Sequence, residues 1–129
     1  MKHSPEDLIS IARSYVYTID LGGGSDAGTV AAALETASGA VHTGICVDVG
    51  CGMGVCAEHS AIVEMLKHRE REIVQIVAVT NDGVLPPCGV CRELMMQVSP
   101  ANADARVILG DAETVLLRDL IPRYWMEKR

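Results

Sequence analysis

The 129-residue sequence contains no phenylalanine, one tryptophan and three tyrosines, so it offers few rings on which nucleic-acid bases could stack. Positive charge is also scarce, because 11 lysines and arginines stand against 17 aspartates and glutamates and the formal net charge is −6. Such a chain repels a polyanion, which argues against nucleic acid as a substrate or partner. We therefore expect a free small molecule as the substrate.

The sequence also lacks an uninterrupted apolar run of the roughly 20 residues that a membrane-spanning helix needs. Its first residues lack the apolar stretch of a secretory signal peptide. These absences predict a cytoplasmic protein with no membrane partner. The length and the 49% hydrophobic content predict a single domain over residues 1–129 with one substantial core.

Five cysteines are present, and in a cytoplasmic chain this odd number indicates metal ligands and buried thiols rather than disulfides. Three of them fall in two short motifs, Cys56-Ala57-Glu58 and Pro87-Cys88-Gly89-Val90-Cys91. Each motif stands at the start of a segment with the apolar spacing of an amphipathic helix. Three thiolates would leave the fourth tetrahedral position of a zinc ion open for water, which is typical of a catalytic rather than a structural site.

Glu58 comes two residues after the first of these cysteines. On a helix, positions i and i+2 point to different sides, so the two side chains can converge only beyond the helix N-terminus. A metal at that point would have Cys56 as a ligand and Glu58 beside its water. Glu58 is therefore predicted to be the catalytic general base and not a ligand, with an exposed acid in the first helical turn as the alternative.

The paired motif resembles the signature of the zinc-dependent cytidine deaminases, in which Cys-x-Glu is followed by Pro-Cys-x-x-Cys. The cysteine in the first motif makes the chain similar to the small free-nucleoside deaminases, cytidine deaminase and blasticidin-S deaminase. The resemblance implies a Zn²⁺ cofactor held by Cys56, Cys88 and Cys91. It implies that a zinc-held hydroxide attacks C4 of a free cytosine-type nucleoside or analogue, while Glu58 carries the proton and ammonia leaves. It also implies a homotetramer whose sites are completed by adjacent subunits.

The substrate contacts depart from that family. Cytidine deaminases usually carry Asn-x-Glu after the Thr-Gly of the second strand, whereas this chain has Cys46 and Asp48 in those places. A thiol cannot replace the donor and acceptor pair of an amide, although Asp48 can accept from a hydroxyl. Cys46, Asp48 and Ala57 are predicted to line the substrate site. Plain cytidine is expected to be a poor substrate and a modified cytosine nucleoside a better one, with ordinary cytidine or deoxycytidine deamination as the alternative.

An aromatic ring usually packs on the pyrimidine from the first strand, and in the best register Gly28 stands there. The tail at residues 120–125 resembles the tail of blasticidin-S deaminase. Tyr124 or Trp125 is therefore predicted to supply the missing aromatic wall, in the same or a neighbouring subunit. The alternative for both residues is a hydrophobic anchor for the C-terminus.

Arg92 and His59, next to the motifs, are predicted to donate hydrogen bonds to the sulfurs. The alternative for Arg92 is a solvated helix charge. In the nucleoside deaminases an arginine commonly follows the motif glutamate, and His59 stands in that place here. The remaining histidines, His3, His42 and His68, are assigned surface or packing roles.

A rival of another class uses Cys51. Cys51 and the three motif cysteines would suit a closed four-thiolate zinc site, which holds no water and belongs to a non-catalytic protein. The favoured interpretation of Cys46 and Cys51 is that of small buried residues.

Apolar spacing and turn residues predict the order of the elements. They predict a helix that starts at Ser4-Pro5 and runs through Ile19, a flexible glycine-rich loop at 21–26, strands at 29–36 and 41–49, a helix at 56–69, a strand at 73–80, a helix at 88–98, a strand at 106–109 and a last helix at 113–120. This order predicts an α/β fold, a three-layer α/β/α sandwich with a mixed central sheet.

Overall fold

A computed structural model describes residues 1–110 and 112–128 of the chain. The helices of this described part are α1 (Pro5–Arg13), α2 (Ala57–Lys67) and α3 (Gly89–Val98). The strands are β1 (Ile19–Gly22), β2 (Ser25–Thr36), β3 (Val41–Asp48), β4 (Ile73–Thr80), β5 (Gly83–Leu85), β6 (Arg106–Ile108) and β7 (Thr114–Leu116). Short 3₁₀ turns follow at Pro100–Asp104, Leu117–Leu120 and Trp125–Lys128. None of the described helices has the length and apolar character that crossing a bilayer requires.

The strands form one mixed sheet, as predicted. β2 pairs antiparallel with β3 on one side and with β1 and β4 on the other. β4 pairs antiparallel with β5 and parallel with β6, and β7 closes the edge antiparallel to β6.

Helices cover both faces of this sheet, so the predicted three-layer sandwich is confirmed. Alternate residues of a strand point to opposite faces, and β2 uses this property in its run of small residues. Ala33 faces α1 in one hydrophobic cluster. Ala32 and Leu34 face α2 and α3 in the other. Both clusters include residues of β4, which explains why its sequence is apolar almost without interruption.

The predicted start of α1 is confirmed, but its predicted end is wrong. The Ser4 side chain accepts from the Asp7 backbone N–H, and the Asp7 carboxylate accepts from the Ser4 N–H, which closes a capping box. The helix ends at Arg13, and Ile19 lies in β1 instead. Every residue of β1 is exposed. The apolar spacing that suggested a longer helix therefore did not mark the buried face of a helix. The predicted flexible loop at 21–26 is instead the end of β1, a tight turn at Gly23 and Gly24, and the start of β2.

The last predicted helix, at residues 113–120, is wrong as well. Its first half is β7, where Val115 pairs with Val107 of β6. Its second half is a 3₁₀ turn that buries Leu117, whose backbone N–H donates to Ala105 O at 2.9 Å. Pairing with the open edge of β6 satisfies backbone groups that a helix would satisfy internally, and tertiary context decides between the two.

Gly44 on β3 sets how closely α2 can approach the sheet. A Cβ atom at this position would lie 2.5 Å from the Ala61 backbone nitrogen and 2.6 Å from the Ala57 carbonyl oxygen. The Ser60 hydroxyl donates to Ile45 O of β3 at 3.0 Å and locks the same contact. The first half of α2 is therefore held directly against the middle of β3.

Glu35 is a buried carboxylate that ties the N-terminal segment to the sheet. It is 1% exposed and accepts from Lys2 N at 2.7 Å, from His3 N at 3.2 Å and from Gln75 Nε2 at 2.8 Å. Burial raises the pKa of Glu35, but the donors of Lys2, Gln75 and His3 outweigh that effect. The net pKa therefore lies below its ordinary value of 4.5.

Glu35→Gln is expected to lower the free energy of unfolding by about 1–3 kcal/mol at neutral pH, because hydrogen bonds to a buried charged acceptor are lost. A depressed folded-state pKa gives stability that is complete above 4.5, the unfolded value, and is lost as the pH falls through the folded value. The difference between wild type and variant should therefore shrink in acid. Urea unfolding across that pH range measures it, with exposed Glu72→Gln as the control; a pH-independent difference would contradict the assignment.

Candidate active site

Three cysteine sulfurs meet where α2 and α3 begin. Cys56 and Cys88 are the N-cap residues of the two helices, a position usually held by serine, threonine, aspartate or asparagine. Cys91 lies one turn into α3. The Cys56 and Cys88 sulfurs are 3.4 Å apart, those of Cys88 and Cys91 are 3.8 Å apart, and all three lie within 4.8 Å of one another. Two separate helices thus deliver three sulfurs to one point.

These distances fit a zinc ion and not a disulfide. A disulfide holds its sulfurs at about 2.05 Å, and all three cysteines are free. Tetrahedral bonds of about 2.3 Å from zinc to sulfur would separate the sulfurs by roughly 3.8 Å. The spacing of the cluster is close to that value, so the residues present fit the metal that the motif predicts.

The pKa values of the three thiols also favour a metal ion at the sulfur cluster. Burial raises the pKa of Cys91 far above its usual range, and the Glu58 charge adds to the effect. Burial and the neighbouring Cys88 raise the pKa of Cys56. Burial also raises the pKa of Cys88, but the backbone N–H of Cys91 and the neighbouring thiol of Cys56 bring it below the ordinary value. Three crowded thiols resist joint ionisation on their own, and a divalent cation among them removes that resistance.

Glu58 lies at the second position of α2 and is buried. Its exposed fraction is 6%, so the alternative of an exposed first-turn acid is wrong. Burial raises the pKa of its carboxyl group. Glu58 lines the same cleft as Cys56 and Cys88, which places it on the same side of the fold as the sulfur cluster.

A cleft of about 380 Å³ opens over this cluster, a volume that suits a small-molecule ligand. Cys56, Ala57, Glu58 and Cys88 line one part of it, and Val30, Cys46, Asp48 and Ala78 line another. The remaining walls are residues 49, 51, 52, 54, 55, 85 and 86. The structure therefore brings Cys46, Asp48 and Ala57 together in the cleft, and their contacts with a substrate stay a prediction.

Cys46 is held by a local network. Its sulfur accepts from the Val30 backbone N–H at 3.3 Å and lies 3.2 Å from the Thr29 hydroxyl. The Thr29 hydroxyl also lies 3.4 Å from Asp48 Oδ2, to which it donates. Thr29 and Val30 were not predicted as site residues. The pairing of residues 26–27 and 31–35 of β2 with β3 brings Val30 to the cleft and Thr29 beside Cys46.

Gly28 occupies a bulge in β2 and is not among the residues described around the cleft. Its φ of +83° lies in the left-handed region, and a Cβ atom there would collide with the Tyr17 carbonyl oxygen. Tyr17 N donates to Gly28 O at 3.0 Å. The β2 residue that lines the cleft is Val30, so no β2 ring is among the described residues around the cleft; the alignment of Gly28 with the ring position of the family stays a prediction.

Arg92 does not use its guanidinium as predicted. Nε donates to Pro87 O at 2.8 Å and Nη1 donates to Leu120 O at 2.9 Å. Both acceptors are backbone carbonyls, so Arg92 braces the loop that enters Cys88 instead of bonding the sulfurs. His59 is half-buried in the first turn of α2, and its donation to a sulfur stays a prediction.

Tyr124 and Trp125 are not among the described residues that line this protomer's cleft. The Tyr124 hydroxyl donates to Glu93 Oε2 at 2.7 Å, and Trp125 Nε1 donates to Glu93 Oε1 at 2.9 Å. Burial and the Glu93 carboxylate raise the pKa of Tyr124 to about 12. Within one protomer the aromatic wall is therefore wrong. The hydrophobic anchor is correct for Tyr124, which is buried in the core, but not for Trp125, which is 53% exposed. A contribution of either ring to a neighbouring subunit stays a prediction.

Cys51 is exposed and lines the cleft, so the interpretation as a small buried residue is wrong for it. Its sulfur is not one of the three that cluster in the described part of the chain. This geometry contradicts the closed four-thiolate site and leaves the cluster with three sulfurs and an open side toward the cleft.

No protein-family model matches the chain. The chain is 32% identical over 99 residues to a cytidine deaminase of Halalkalibacterium halodurans, which covers 72% of this chain and 74% of the relative. It is 29% identical over 106 residues to a blasticidin-S deaminase of Bacillus cereus, with the same two coverages of 72% and 74%. The crystal structure of a cytidine deaminase from Burkholderia pseudomallei superposes with a TM-score of 0.73 at 27% identity, covering 94% of this chain and 98% of that one.

Proposed function

Because the chain belongs to the cytidine deaminase family, we propose that it is a zinc-dependent hydrolase that releases ammonia from a free cytosine-type nucleoside or analogue. One observation carries this proposal: three cysteine sulfurs and the buried Glu58 converge beside a cleft of about 380 Å³. The two named relatives, a cytidine deaminase and a blasticidin-S deaminase, support the reaction class.

Cys56, Cys88 and Cys91 would hold the zinc ion, which when bound acts as a Lewis acid and lowers the pKa of water toward about 7. Glu58 takes a proton from the attacking water and delivers it to ring N3, and the water oxygen bonds to C4. Glu58 then assists proton transfer to the exocyclic amine, the C4–N bond breaks, and ammonia leaves. The carboxylate is regenerated, so water and the amine are exchanged for a carbonyl and ammonia.

The walls of the cleft disfavour an anionic substrate. Val30, Ala57 and Ala78 offer apolar contact to a pyrimidine ring, and Asp48 offers an acceptor for a hydroxyl group. Among the described residues that line the cleft there is no lysine or arginine, whereas two carboxylates, Asp48 and Glu58, are present. A phosphorylated nucleoside would meet like charge without a compensating cation, which favours the free nucleoside.

An ammonia-release screen on the zinc-loaded protein tests the proposal. The compounds are cytidine, deoxycytidine, 5-modified cytidines, blasticidin S, adenine and guanine compounds, and cytidine monophosphate. At least one free cytosine-type compound should release ammonia, and the monophosphate should not. Absence of release from all cytosine compounds by a correctly folded, zinc-loaded protein would contradict the proposal.

Ordinary cytidine or deoxycytidine deamination is the second candidate, and the 32% identity to a cytidine deaminase favours it. The Cys46 network argues for a modified substrate, because the thiol is already engaged by Val30 N and Thr29 Oγ1 and carries no amide. Comparison of kcat/KM for cytidine with the values for modified cytidines and blasticidin S separates the two. Cytidine as the best substrate would favour ordinary deamination.

Asp48→Ala is expected to lower kcat/KM for a hydroxyl-bearing cytosine nucleoside by about 10-fold or more, the effect of a lost hydrogen bond to a charged acceptor. The matched substrate is 2′,3′-dideoxycytidine, whose turnover should change little because it lacks the ring hydroxyls. Asp82→Ala, in the turn between β4 and β5, is the control variant. An equal loss on both substrates would show that Asp48 does not bind the sugar.

The assembly and location remain predictions of the sequence analysis. A homotetramer with shared sites would bury exposed apolar residues such as Leu85 and Val90, which are 40% and 66% exposed in the single chain.

A further inference from the structure

A second group of metal-binding side chains lies outside the cleft, at the C-terminal end of α2. His42 comes from β3, Glu64 from the last turns of α2, and His68 from its C-cap. Each offers a ligand atom, and these atoms lie within 4.8 Å of one another. The two imidazole rings are 5.0 Å apart and tilted by 38°. His42 and His68 were expected to serve surface or packing roles, and the cleft mechanism uses none of the three residues.

His42 carries the first independent sign of a ligand. Its side chain is 8% exposed, and its Nε2 atom is buried without a hydrogen-bond partner within the described residues. The nearest acidic atom, Glu70 Oε1, lies 3.9 Å away, which is too far for a hydrogen bond. A buried nitrogen without a partner is costly, and native structures usually provide one. A cation between these groups would satisfy it.

The hydrogen bonding of His68 is compatible with a role as a metal ligand. Its Nδ1 atom lies 3.0 Å from the Glu64 carbonyl oxygen, and a hydrogen bond there requires the proton on Nδ1. That tautomer leaves the Nε2 lone pair free. Histidines that bind metals commonly donate their other ring N–H to a backbone carbonyl in this way.

Carboxylates complete the group. Lys67 Nζ lies 3.0 Å from Glu64 Oε2 and is the first cause that holds the pKa of Glu64 below its ordinary value, so Glu64 is ionised at neutral pH. Glu70 Oε2 accepts from the Ser38 hydroxyl at 2.8 Å, which leaves Oε1 turned toward His42. Imidazoles bind metals in their neutral form, so as ligands the two imidazoles and two carboxylates would carry a charge of −2 that one divalent cation balances.

We propose that His42, Glu64 and His68, with Glu70 as the closing carboxylate, form a second metal site for a zinc-type divalent cation. Two imidazoles with carboxylate oxygens suit zinc and its neighbours among the transition metals better than magnesium or calcium, which prefer all-oxygen ligands. A metal here joins β3 to the C-terminal end of α2. Both elements also line the cleft. A metal at this site would therefore hold β3 and α2 together at the end that lies away from the cleft.

Equilibrium dialysis of the tag-free protein, already holding one zinc per chain, against buffered free Zn²⁺ tests the site. Elemental analysis should find a second equivalent in the wild type. His68→Gln and Glu64→Gln should each weaken this second equivalent by about 10-fold or more and retain the first. His68 is exposed, so its replacement should leave the fold intact, and unfolding of the variants in the presence of a chelator checks this. One equivalent only in the wild type, or an undiminished second equivalent in His68→Gln, would overturn the proposal.

Lys67→Gln is the matched control. This residue is exposed in the same turn and pairs with Glu64, so its replacement frees that carboxylate and should keep or tighten the second equivalent. Weaker binding in Lys67→Gln would contradict Glu64 as a ligand. The zinc-dependent rise in Tm gives an independent readout, since a ligand of the folded state stabilises it: the rise should be present in the wild type and reduced in His68→Gln. Because the first equivalent and ammonia release are measured on the same samples, failure of this site leaves the proposed deaminase function standing.

Discussion

Glu58→Gln is expected to lower the turnover number for ammonia release by about 100-fold to 10,000-fold, the contribution of a lost general acid–base group. The amide has nearly the same volume as the carboxylate and can sit in the same buried position, but it cannot accept a proton from water at neutral pH. The folded structure should be preserved, and the zinc content should stay at one equivalent, because Glu58 is not one of the three clustered sulfur donors. Single-turnover ammonia release together with elemental analysis measures both quantities.

Glu6→Gln provides the matched control for this variant. Glu6 and Glu58 both occupy the second position of a helix, in α1 and α2 respectively. Glu6 is exposed and Glu58 is buried in the cleft. If Glu58 acted only on the helix dipole, the two substitutions would have similar small effects. Retention of more than a tenth of the activity by Glu58→Gln would rule out its role as the proton carrier.

Cys88→Ser is expected to abolish both stoichiometric zinc binding at the sulfur cluster and ammonia release. A serine hydroxyl does not ionise at neutral pH, so it cannot replace the thiolate that binds zinc. The Cys88 sulfur is the central one of the three, 3.4 Å from Cys56 and 3.8 Å from Cys91. Elemental analysis at low free zinc should show the loss, and Tm should fall because metal binding contributes to folding.

Cys51→Ser separates the catalytic site from the closed alternative. Cys51 lines the cleft, but its sulfur stands outside the described cluster, so this variant should keep one zinc and its activity. Loss of zinc in Cys51→Ser, with four sulfur neighbours of the metal in X-ray absorption, would instead identify a closed four-thiolate site.

The Cys88→Ser prediction has its own contradicting outcome. Retained zinc and activity in Cys88→Ser would remove the basis of the proposed chemistry.

The local signals in the sequence were sufficient where a residue's role depends on its near neighbours. The two cysteine motifs predicted the helix starts at α2 and α3, because the apolar spacing and the motif begin at the same residues. The same signals failed at residues 113–120, where Val115 completes the edge of the sheet by pairing with Val107. An open strand edge is a property of the fold, and no short window of sequence contains it.

The candidate site likewise contains some residues that could be predicted from the sequence and others that could not. The convergence of Cys56, Glu58, Cys88 and Cys91 could be predicted, since each residue has a fixed offset from a helix start. The opposite wall could not, because the bulge at Gly28 changes the register between β2 and β3 and brings Val30 to the cleft. The partners of Arg92 also lay beyond prediction, since one of them, Leu120 O, is 28 residues away along the chain.

Two consecutive residues of α3, Arg92 and Glu93, form hydrogen bonds with the C-terminal tail at separate places. Arg92 holds Leu120 O, and Glu93 receives the hydrogen bonds of Tyr124 and Trp125. Arg92 also holds Pro87 O, directly before Cys88. A disturbance of the tail is therefore transmitted through one guanidinium to the backbone that carries a metal ligand. Variants and fusions at this end of the chain should accordingly be judged by how well they retain zinc as well as by how they melt.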